Sequence, residues 1–171
     1  MATQVHPLRW QWCRFAELNV FELQAIYMLR QQVFAVEQNC AYLDADGVDA
    51  HAWHLAAWSG EHPAPRAYAR VVHPGVKYPE PSIGRVATAF EVRGTGLGRE
   101  LVGRAIVSCT QAFPGLGIRI SAQSRLENFY AQLGFDVVGA PYLEDGMPHT
   151  EMLRPGSTPA TLEGPGVQFQ R

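Results

Sequence analysis

The sequence predicts a single α/β domain with a mixed, mostly antiparallel sheet flanked by helices. Its central part, residues 83–112, runs from an extended apolar segment through a glycine-rich turn into an amphipathic helical pattern. Before it, apolar segments at 52–58 and 64–72 are joined by a short turn, which is typical of an antiparallel hairpin. After it, short apolar segments at 117–122 and 135–138 flank a further helical stretch. The length of 171 residues suits one domain with a sizeable core.

The N-terminal part is predicted to form a strand, a helix and a long irregular segment. Alternation of residue types predicts a first strand at 8–15. Asn19 can cap a helix, and Glu22 three residues later completes a capping box. Apolar residues then keep one face of the helix to about Val36. The polar and turn-forming residues of 36–47 have no helical period, so this segment is predicted to be a long loop or a broken helix.

The middle of the chain is predicted to hold the hairpin, a surface loop, the central strand and a second helix. The hairpin turns at 59–63, with Gly60 as its pivot. Residues 73–81 contain three prolines and form a surface loop. The central strand follows at 83–90, and the second helix begins at the glycine turn. The apolar positions of that helix recur at spacings of three and four, and they are Leu97, Leu101, Val102, Ala105, Ile106 and Cys109.

The C-terminal part is predicted to complete the sheet and to end in a tail. A buried strand at 117–122 is followed by a helix at 126–133, which Gly134 ends, and by strands at 135–138 and 151–153. From Pro155 onward the chain is mostly Pro, Gly, Ser and Thr, with too few apolar residues to order itself. We therefore expect one domain at 1–154 and a flexible Pro/Gly-rich tail at 155–171.

Composition and charge narrow the function classes. The net charge of −2 does not favour nucleic-acid binding, which usually needs a basic surface. No apolar run approaches the ~18 to 20 residues of a membrane span, and the N-terminus lacks the apolar stretch of a signal peptide. We therefore expect a cytoplasmic protein that binds neither nucleic acid nor membrane. Three cysteines without a CxxC pair, Cys13, Cys40 and Cys109, favour neither a disulfide framework nor a zinc site.

The glycine-rich turn from Arg93 to Gly98 predicts an anion site. Its backbone N–H groups lie at the start of a helix, where the helix dipole is positive, so phosphate is the expected ligand. A P-loop is excluded because the turn has no lysine, and a dinucleotide-binding GxGxxG is excluded because Arg99 stands where a third glycine is needed. From the turn alone, a glycine-rich helix start that binds nothing remains an alternative.

Two blocks of residues resemble the GCN5-related N-acetyltransferase (GNAT) superfamily. The spacing Arg93-x-x-Gly96-x-Gly98 is similar to the pyrophosphate-binding motif of that superfamily. About thirty residues later, Asn128, Tyr130 and the pair Gly134-Phe135 look like its second block, in which a helix packs against the cofactor and its Tyr approaches the thioester sulfur. Without the family, Tyr130 is an ordinary amphipathic aromatic of a helix. The two blocks together, in this order, favour the GNAT interpretation.

A closer resemblance connects further segments to one GNAT subfamily, the ElaA-like group of small bacterial acetyltransferases. The segments that carry it are Phe34 to Cys40, Asp44 to Gly47, Ala122-Gln123 and Tyr142 to His149. Together they span most of 8–153. The resemblance implies the GNAT, or acyl-CoA N-acyltransferase, fold and acetyl-CoA as co-substrate, whereas the acceptor of this group is poorly defined. Thr88 departs from the family, which usually has an aliphatic residue at this point of the central strand.

The resemblance implies that an amine attacks the thioester of acetyl-CoA directly, without a covalent enzyme intermediate. It places the pyrophosphate on the N–H groups of 94–99 and the pantetheine arm along Val86 to Thr88, with the sheet splaying after Thr88. It makes the Thr88 N–H the oxyanion donor and Tyr130 the acid for the departing thiolate. The expected cofactor-binding residues are therefore Val86, Ala87, Thr88, Arg93, Gly94, Thr95, Gly96, Leu97, Gly98, Arg99, Asn128 and Tyr130.

The acceptor amine must lose a proton before it attacks. An amine with a pKa of about 10.4 lies roughly 4 to 5 kcal/mol from its neutral form at pH 7. Five side chains could take that proton: Glu37, Asp46, His54, His149 and Glu151. Glu37 ranks first because it ends the first helix, where GNAT proteins line the acceptor side, and His149 ranks second because histidine titrates near neutrality. Each of them could equally be a structural residue.

Other sites and functions are less favoured. His51 and His54 should face opposite sides of a strand, and Asp44 to Gly47 does not continue into a calcium loop, so no metal is expected. The expected partner is a small-molecule or peptide amine, and a homodimer is compatible with the sequence. Two alternatives stay open: a CoA-binding module or sensor without turnover, and an interaction protein that uses exposed Trp10, Trp12 and Trp58.

Overall fold

The computed structural model describes residues 7–60 and 63–157, which form one mixed sheet with helices on both faces. The helices are α1 (Val20–Gln31), α2 (Leu97–Ala112) and α3 (Glu127–Ala131). The strands are β1 (Arg9–Arg14), β2 (Ala52–Trp58), β3 (Ala67–Val72), β4 (Ser82–Thr88), β5 (Ile118–Gln123), β6 (Asp136–Val137), β7 (Tyr142–Glu144) and β8 (Met147–Arg154). Their order is β1-β2-β3-β4-β5-β8-β6, and β7 also pairs with β8. Among these strands only β4 and β5 pair in parallel, so the predicted mixed, mostly antiparallel sheet is confirmed.

The first helix begins as its capping residues predict. The Asn19 Oδ1 accepts hydrogen bonds from the N–H groups of Phe21 and Glu22, both at 2.9 Å, and the Glu22 carboxylate accepts the Asn19 N–H at 3.1 Å. These reciprocal bonds satisfy donors that a helix start otherwise leaves unpaired. The α-helix ends at Gln31, and a π-helical segment, Gln32–Glu37, continues it to the predicted end near Val36. Short π-helical segments within or beside α-helices occur frequently at functional sites.

The sheet separates two apolar layers. On one face, α2 buries its predicted stripe of Leu97, Leu101, Val102, Ala105, Ile106 and Cys109 against β2 to β5. On the other face, α1 and the following segment bury Ala25, Ile26, Leu29 and Val33 against Ala56, Trp58, Tyr68 and Ala87. Because strand side chains alternate between faces, β2 and β3 are covered on both sides. The central strands therefore form a rigid platform for β4 and the glycine turn.

The C-terminal strands differ from the sequence prediction. The sequence predicts one short strand at 151–153, whereas β8 runs from Met147 to Arg154 and forms a hairpin with β7. Its turn residues Asp145 and Gly146 have φ angles of 50° and 78°, the conformation that Asp-Gly favours in a two-residue hairpin turn. This pair was the local signal for the hairpin. The predicted helix at 126–133 is also shorter: a 3-10 turn at Ser124–Leu126 precedes α3, and α3 itself ends at Ala131.

The side chains of Trp10, Trp12 and Trp58 are more buried than the sequence predicts. Trp58 is buried in the layer under α1. Trp12 stacks on Trp53 with ring centroids 5.0 Å apart, and the Arg104 guanidinium carbon lies 4.6 Å from the ring centroid of Trp10. The expectation of an exposed side chain is therefore wrong for Trp58, and Trp10 and Trp12 are half-buried.

Residues 158–171 lie outside the described residues, so the flexible tail and the domain boundary at 154 stay predictions. The hairpin turn at 59–63 is described only in part, because residues 61 and 62 lie outside as well. Among the helices that the structure describes, none is long and apolar enough to cross a membrane.

Candidate functional site

A gap opens in the sheet between β4 and β5. The two strands pair at Ser82 and Arg119, where the Arg119 N–H donates to the Pro81 carbonyl at 3.0 Å. No further β4–β5 pair exists within the described ranges. The predicted splay after Thr88 is wrong, because the strands diverge at the opposite, N-terminal end of β4. The whole of β4 beyond Ser82 is therefore left with one unpaired side.

A β-bulge redirects β4 beside this gap. Two β4 residues, Arg85 and Val86, lie opposite the single β3 residue Ala69. Arg85 has a φ of 51°, which is uncommon for a residue with a Cβ atom. Bulges bend a strand and increase its twist. The bulge thus turns the second half of β4 away from β5.

The backbone of Thr88 points into the gap. Hydrogen-bonded and non-hydrogen-bonded pairs alternate along an antiparallel ladder. Because the Ala89 N–H donates to the Arg66 carbonyl at 2.9 Å, the adjacent Thr88 directs its N–H and C=O away from β3. The Arg93 guanidinium already donates to the Thr88 carbonyl at 3.1 and 3.3 Å. The Thr88 N–H is left facing the gap as a donor.

The glycine turn presents backbone donors at one end of the gap. Gly94 and Gly96 have φ angles of 76° and 91°, which residues with a side chain rarely adopt. The Glu100 N–H donates to the Gly96 carbonyl at 3.1 Å. The N–H groups of Leu97, Gly98 and Arg99 precede this first helical bond and have no acceptor within the helix.

The surface over this turn is open. A Cβ atom built on Gly94 or Gly96 would meet no atom of the described chain within 4 Å, and one on Gly98 would meet only the Thr88 Cγ2 at 3.8 Å. A phosphate group can therefore approach the backbone closely. The turn thus offers unpaired N–H donors and enough room above them for a phosphate group.

Tyr130 lies on the other side of the gap, in α3. Its ring is buried edge-on against Phe129 and Phe135, with ring centroids 5.0 and 5.9 Å away. Its hydroxyl makes no hydrogen bond within the described part of the chain, and burial raises the pKa of Tyr130 to about 12. The phenol is therefore protonated at neutral pH and available as a donor. Asn128, by contrast, is exposed on the same helix.

A polar contact joins the two helices beside the gap. Arg99, in the first turn of α2, donates from Nη1 to the Gln132 Oε1 at 2.9 Å. Gln132 follows α3 directly. This bond holds the end of the Tyr130 helix against the glycine turn. The two blocks that the sequence analysis relates to one family are thus neighbours in space.

Glu37 lies near the end of β4, and its carboxylate is paired. The Arg93 Nη2 lies 2.6 Å from the Glu37 Oε2, and the same guanidinium binds the Thr88 carbonyl. Arg93 therefore connects the end of the π-helical segment to the end of β4. As a general base, Glu37 would first have to separate from Arg93.

Three of the other candidate bases are not available for catalysis. Although burial alone would raise the pKa of Asp46, its hydrogen bonds with Arg70 and the charges of Arg70 and Arg85 lower it to about 2. The Glu151 Oε2 is paired with Arg119 at 3.1 Å. His54 is buried and bonded at both ring nitrogens. Their selection as candidate bases is therefore wrong, because each has a structural partner.

His149 remains as a base with a free ring nitrogen. It lies on β8 opposite Gln123 of β5. Its Nδ1 lies 2.9 Å from the Met147 carbonyl, so Nδ1 carries the proton of the neutral ring and Nε2 carries the lone pair. This Nε2 lies 3.8 Å from the Glu144 Oε2, which is beyond hydrogen-bond distance.

A buried ionic network holds the loop that follows the π-helical segment. Arg30 is fully buried and binds Asp44 at 2.9 Å and Asp49 at 2.8 Å. Arg70 binds Asp49 at 3.0 Å, and Arg85 lies 2.8 Å from Asp44. The loop is thereby fastened over β3 and β4. Sequence reasoning missed this network, because no local pattern relates these residues.

His54 connects this network to the sheet and makes stability depend on pH. Its Nε2 lies 3.0 Å from the Asp49 carbonyl and its Nδ1 lies 2.7 Å from the Tyr68 hydroxyl, which fits the neutral ring. Burial lowers the pKa of His54 below its ordinary value. The unfolded chain, whose histidines titrate near about 6.5, then binds more protons than the folded protein below that pH.

The free energy of unfolding is therefore expected to fall as the pH drops below about 6.5, by up to about 1.4 kcal/mol per pH unit from this one group. Urea unfolding at pH 7.5, 6.5 and 5.5 measures the slope. His54→Gln should reduce the slope, and His51→Gln, at an exposed position, should leave it unchanged. An identical slope in wild type and His54→Gln would contradict a neutral buried imidazole.

The sequence and the fold are similar to those of known proteins. A family model described as an acetyltransferase (GNAT) domain matches residues 66–154. The chain is 43% identical to the UPF0039 protein sll0451 of Synechocystis over 85% of this chain and 94% of that protein. It resembles the crystal structure of an acyl-CoA N-acyltransferase from Pseudomonas aeruginosa (TM-score 0.82) and that of Escherichia coli ElaA (TM-score 0.80), each with 37% identity over 86% of this chain and 99% of that chain.

Proposed function

Because the chain belongs to the GNAT acetyltransferase family, within its ElaA-like group, we propose that it is a cytoplasmic enzyme that transfers acetyl from acetyl-CoA directly to a primary amine. The observation that carries the proposal is the gap beside β4, which has an unpaired strand backbone along its side and the open glycine turn at its end. An extended arm ending in a pyrophosphate has the shape and charge that these two features accept. The acceptor is a small-molecule or peptide amine.

The cofactor contacts divide between backbone and side chains. The N–H groups of 94–99 bind the pyrophosphate, and the backbone of Val86 to Thr88 pairs with the pantetheine arm as an added strand would. Asn128, exposed on α3, contacts the arm from the other side of the gap. Arg93 is tied to Glu37 and Thr88, so its role is to hold the turn in shape and not to bind phosphate directly.

The chemistry needs no enzyme nucleophile. Thr88 adjoins Gly98 and so lies at the pyrophosphate end of the arm. A gap-facing N–H of β4 further from the turn donates to the carbonyl oxygen as the amine adds to the carbonyl carbon, a contribution commonly worth ~3 to 4 kcal/mol. The Tyr130 hydroxyl donates its proton to the sulfur as the carbon–sulfur bond breaks, and free CoA leaves as the thiol. The tyrosinate takes back the proton that the nitrogen of the new amide loses, directly or through water. His149 takes the proton of the acceptor ammonium at its Nε2, directly or through water. The free Nε2 ranks His149 ahead of Glu37, whose charge Arg93 already compensates.

The glycine turn allows a test that separates ligand contact from folding. Gly98→Ala is expected to weaken acetyl-CoA binding about 10- to 100-fold, because a methyl group intrudes between the pyrophosphate and its N–H donors. The protein itself has room for that methyl group, and Ala in a helix is favoured over Gly by about 0.5 to 1 kcal/mol. Gly96→Val should weaken binding at least as much, since its φ of 91° strains any side chain.

Calorimetric titration with acetyl-CoA and with CoA measures these affinities. Gly103→Ala, in the same helix and with no atom of the described chain within 4 Å of the new Cβ, is the matched control and should bind as the wild type does. Unchanged affinity of Gly98→Ala would remove the turn from the cofactor site. Tight CoA binding without acetyl transfer to any amine would contradict the enzyme function and favour a CoA-binding module.

A further inference from the structure

The outward side of α1 and of the π-helical segment carries no charge, and we call it the α1 face. Its exposed residues are Val20, Phe21, Gln24, Met28, Gln32 and Val36. Residues 20–36 contain two charged side chains, Glu22 and Arg30. The Glu22 carboxylate is held by the helix cap and by Gln11, and Arg30 is fully buried. A surface helix usually has charged and polar residues on its solvent side, so the apolar residues of this face indicate a partner.

The apolar side chains of the α1 face are large and well exposed. Val20, Phe21 and Val36 are 73%, 78% and 67% exposed, and Met28 is 56% exposed. Beside them, α1 has a shallow groove lined by Val20, Leu23, Gln24, Tyr27, Met28 and Gln31. Helices pack by placing the ridges of one into the grooves of the other. The α1 face therefore has both a projecting ring, that of Phe21, and a groove that can receive one.

The residues of the α1 face are arranged symmetrically about Met28. Gln24 precedes Met28 by four positions, and Gln32 follows it by four. Val20 precedes it by eight positions, and Val36 follows it by eight. With a helical rise of about 1.5 Å per residue, each half of the face is about 10 to 12 Å long. An interface with two-fold symmetry uses the same surface on both subunits and must be complementary to itself. The α1 face has the symmetry that such an interface requires.

Two α1 faces that pack antiparallel about an axis at Met28 would match along their whole length. Val20 of one copy would lie opposite Val36 of the other, so exposed apolar side chains would cover each other at both ends. Gln24 would lie opposite Gln32, and each side-chain amide offers a donor and an acceptor to the other. The two Met28 side chains would meet at the axis, where their flexibility lets them fill the space.

The size of the α1 face determines how strong this association can be. Residues 20–36 extend over about 24 Å and a helix is about 10 Å wide, so two such faces bury on the order of 1,000 Å² in total. This area is near the lower limit for a specific interface. We therefore expect a dimer that exchanges with the monomer and has a Kd in the micromolar range.

We propose that two copies of this chain form a dimer through their α1 faces, with the helices antiparallel and the two-fold axis at Met28. A second copy is favoured over a lipid surface, because helices that lie on membranes have Lys and Arg on their polar side, whereas the one cation of α1, Arg30, is buried. The dimer is independent of acetyl transfer, because none of the six face residues belongs to the proposed cofactor or acceptor site.

Sedimentation velocity of the full chain at about 1 to 300 μM measures the association. The wild type is expected to change from monomer to dimer over this range. Met28→Glu places two carboxylates together at the axis and should raise the dimer Kd at least about tenfold. Met28→Lys should do the same with two ammonium groups. Because Met28 is exposed, the thermal midpoints of both variants should stay close to that of the wild type.

A mixture of the two variants tests the position of the axis. Equimolar Met28→Glu and Met28→Lys should associate with a Kd close to that of the wild type, because opposite charges then meet across the interface. Restored association would also show that both variants are folded. Val107→Glu is the matched control, because Val107 is likewise 56% exposed but lies on α2, beside the Glu100–Arg104 ion pair. This control should dimerise as the wild type does.

Three results would overturn the proposed dimer. The first is a wild type that stays monomeric at every concentration, and the second is a Met28→Glu variant with the wild-type Kd. The third is a mixture of the charged variants that stays monomeric while the wild type dimerises, since the axis then lies away from Met28. Binding of a monomeric wild type to vesicles of phosphatidylglycerol and phosphatidylcholine, lost in Met28→Glu, would assign the α1 face to a lipid surface and likewise contradict the dimer.

Discussion

Tyr130→Phe is expected to lower kcat by about 10²- to 10⁴-fold, the range usual for a positioned general acid. The reason is the need to protonate sulfur as it leaves, which a phenylalanine cannot do. The hydroxyl contributes nothing to the described structure by hydrogen bonding, and the phenol keeps its proton because burial raises its pKa to about 12. Acetyl-CoA binding, measured by calorimetry, should change little, because the effect arises in the transition state.

The packing around Tyr130 makes this substitution a clean one. Phe retains the edge-on contacts with Phe129 and Phe135, so the thermal midpoint should stay close to that of the wild type. Steady-state kinetics with a saturating amine separate kcat from the affinity for the cofactor. Equal turnover of wild type and Tyr130→Phe would reduce Tyr130 to a packing residue. A parallel loss of affinity would instead make it a cofactor contact.

Arg30→Met is expected to lower the free energy of unfolding by about 3 to 5 kcal/mol. Arg30 is fully buried and donates from Nε to Asp44, from Nη1 to Asp49 and from Nη2 to the Asp44 carbonyl. Methionine fills similar space but leaves two buried carboxylates with less compensation, and uncompensated buried charge is the costly state. Urea unfolding at pH 7.5 followed by circular dichroism measures the loss.

A surface ion pair provides the control for Arg30→Met. Glu100 and Arg104 form an (i, i+4) pair on α2 with side chains 48% and 49% exposed. Glu100→Gln should change the free energy of unfolding by less than about 0.5 kcal/mol. Similar losses of unfolding free energy in the two variants would show that the buried network stabilises the protein no more than a surface ion pair does. Because the network fastens the loop over β4, Arg30→Met should also raise the KM for the acceptor amine.

The local elements of this fold were largely predictable from the sequence. The cap at Asn19, the stripe of α2 and the glycine turn depend on residues within one or two turns of each other, so periodicity and backbone preference are enough to find them. The Asp145-Gly146 turn carried an equally local signal for the β7–β8 hairpin, which the sequence analysis did not use. The likeness between two sequence blocks and one family also depends only on spacing along the chain.

The candidate site, in contrast, was decided by contacts between distant residues. Arg93 pairs with Glu37 across 56 positions, and Arg85 with Asp46 across 39. Whether a carboxylate is a free base or an ion-pair partner depends on which cation the fold brings to it, and local patterns carry no information about that choice. The sequence analysis thus ranks Glu37 ahead of His149, and it keeps Asp46 among the candidates, because their ion-pair partners are not visible in the sequence.

The sequence by itself determined the helices and most strands, the glycine-rich turn and the family. Only the tertiary structure decided where β4 leaves β5 and which candidate base keeps a free lone pair. The physical reason is that secondary structure follows from short-range sterics and periodic burial, whereas charge compensation and the divergence of two strands depend on all neighbours in space.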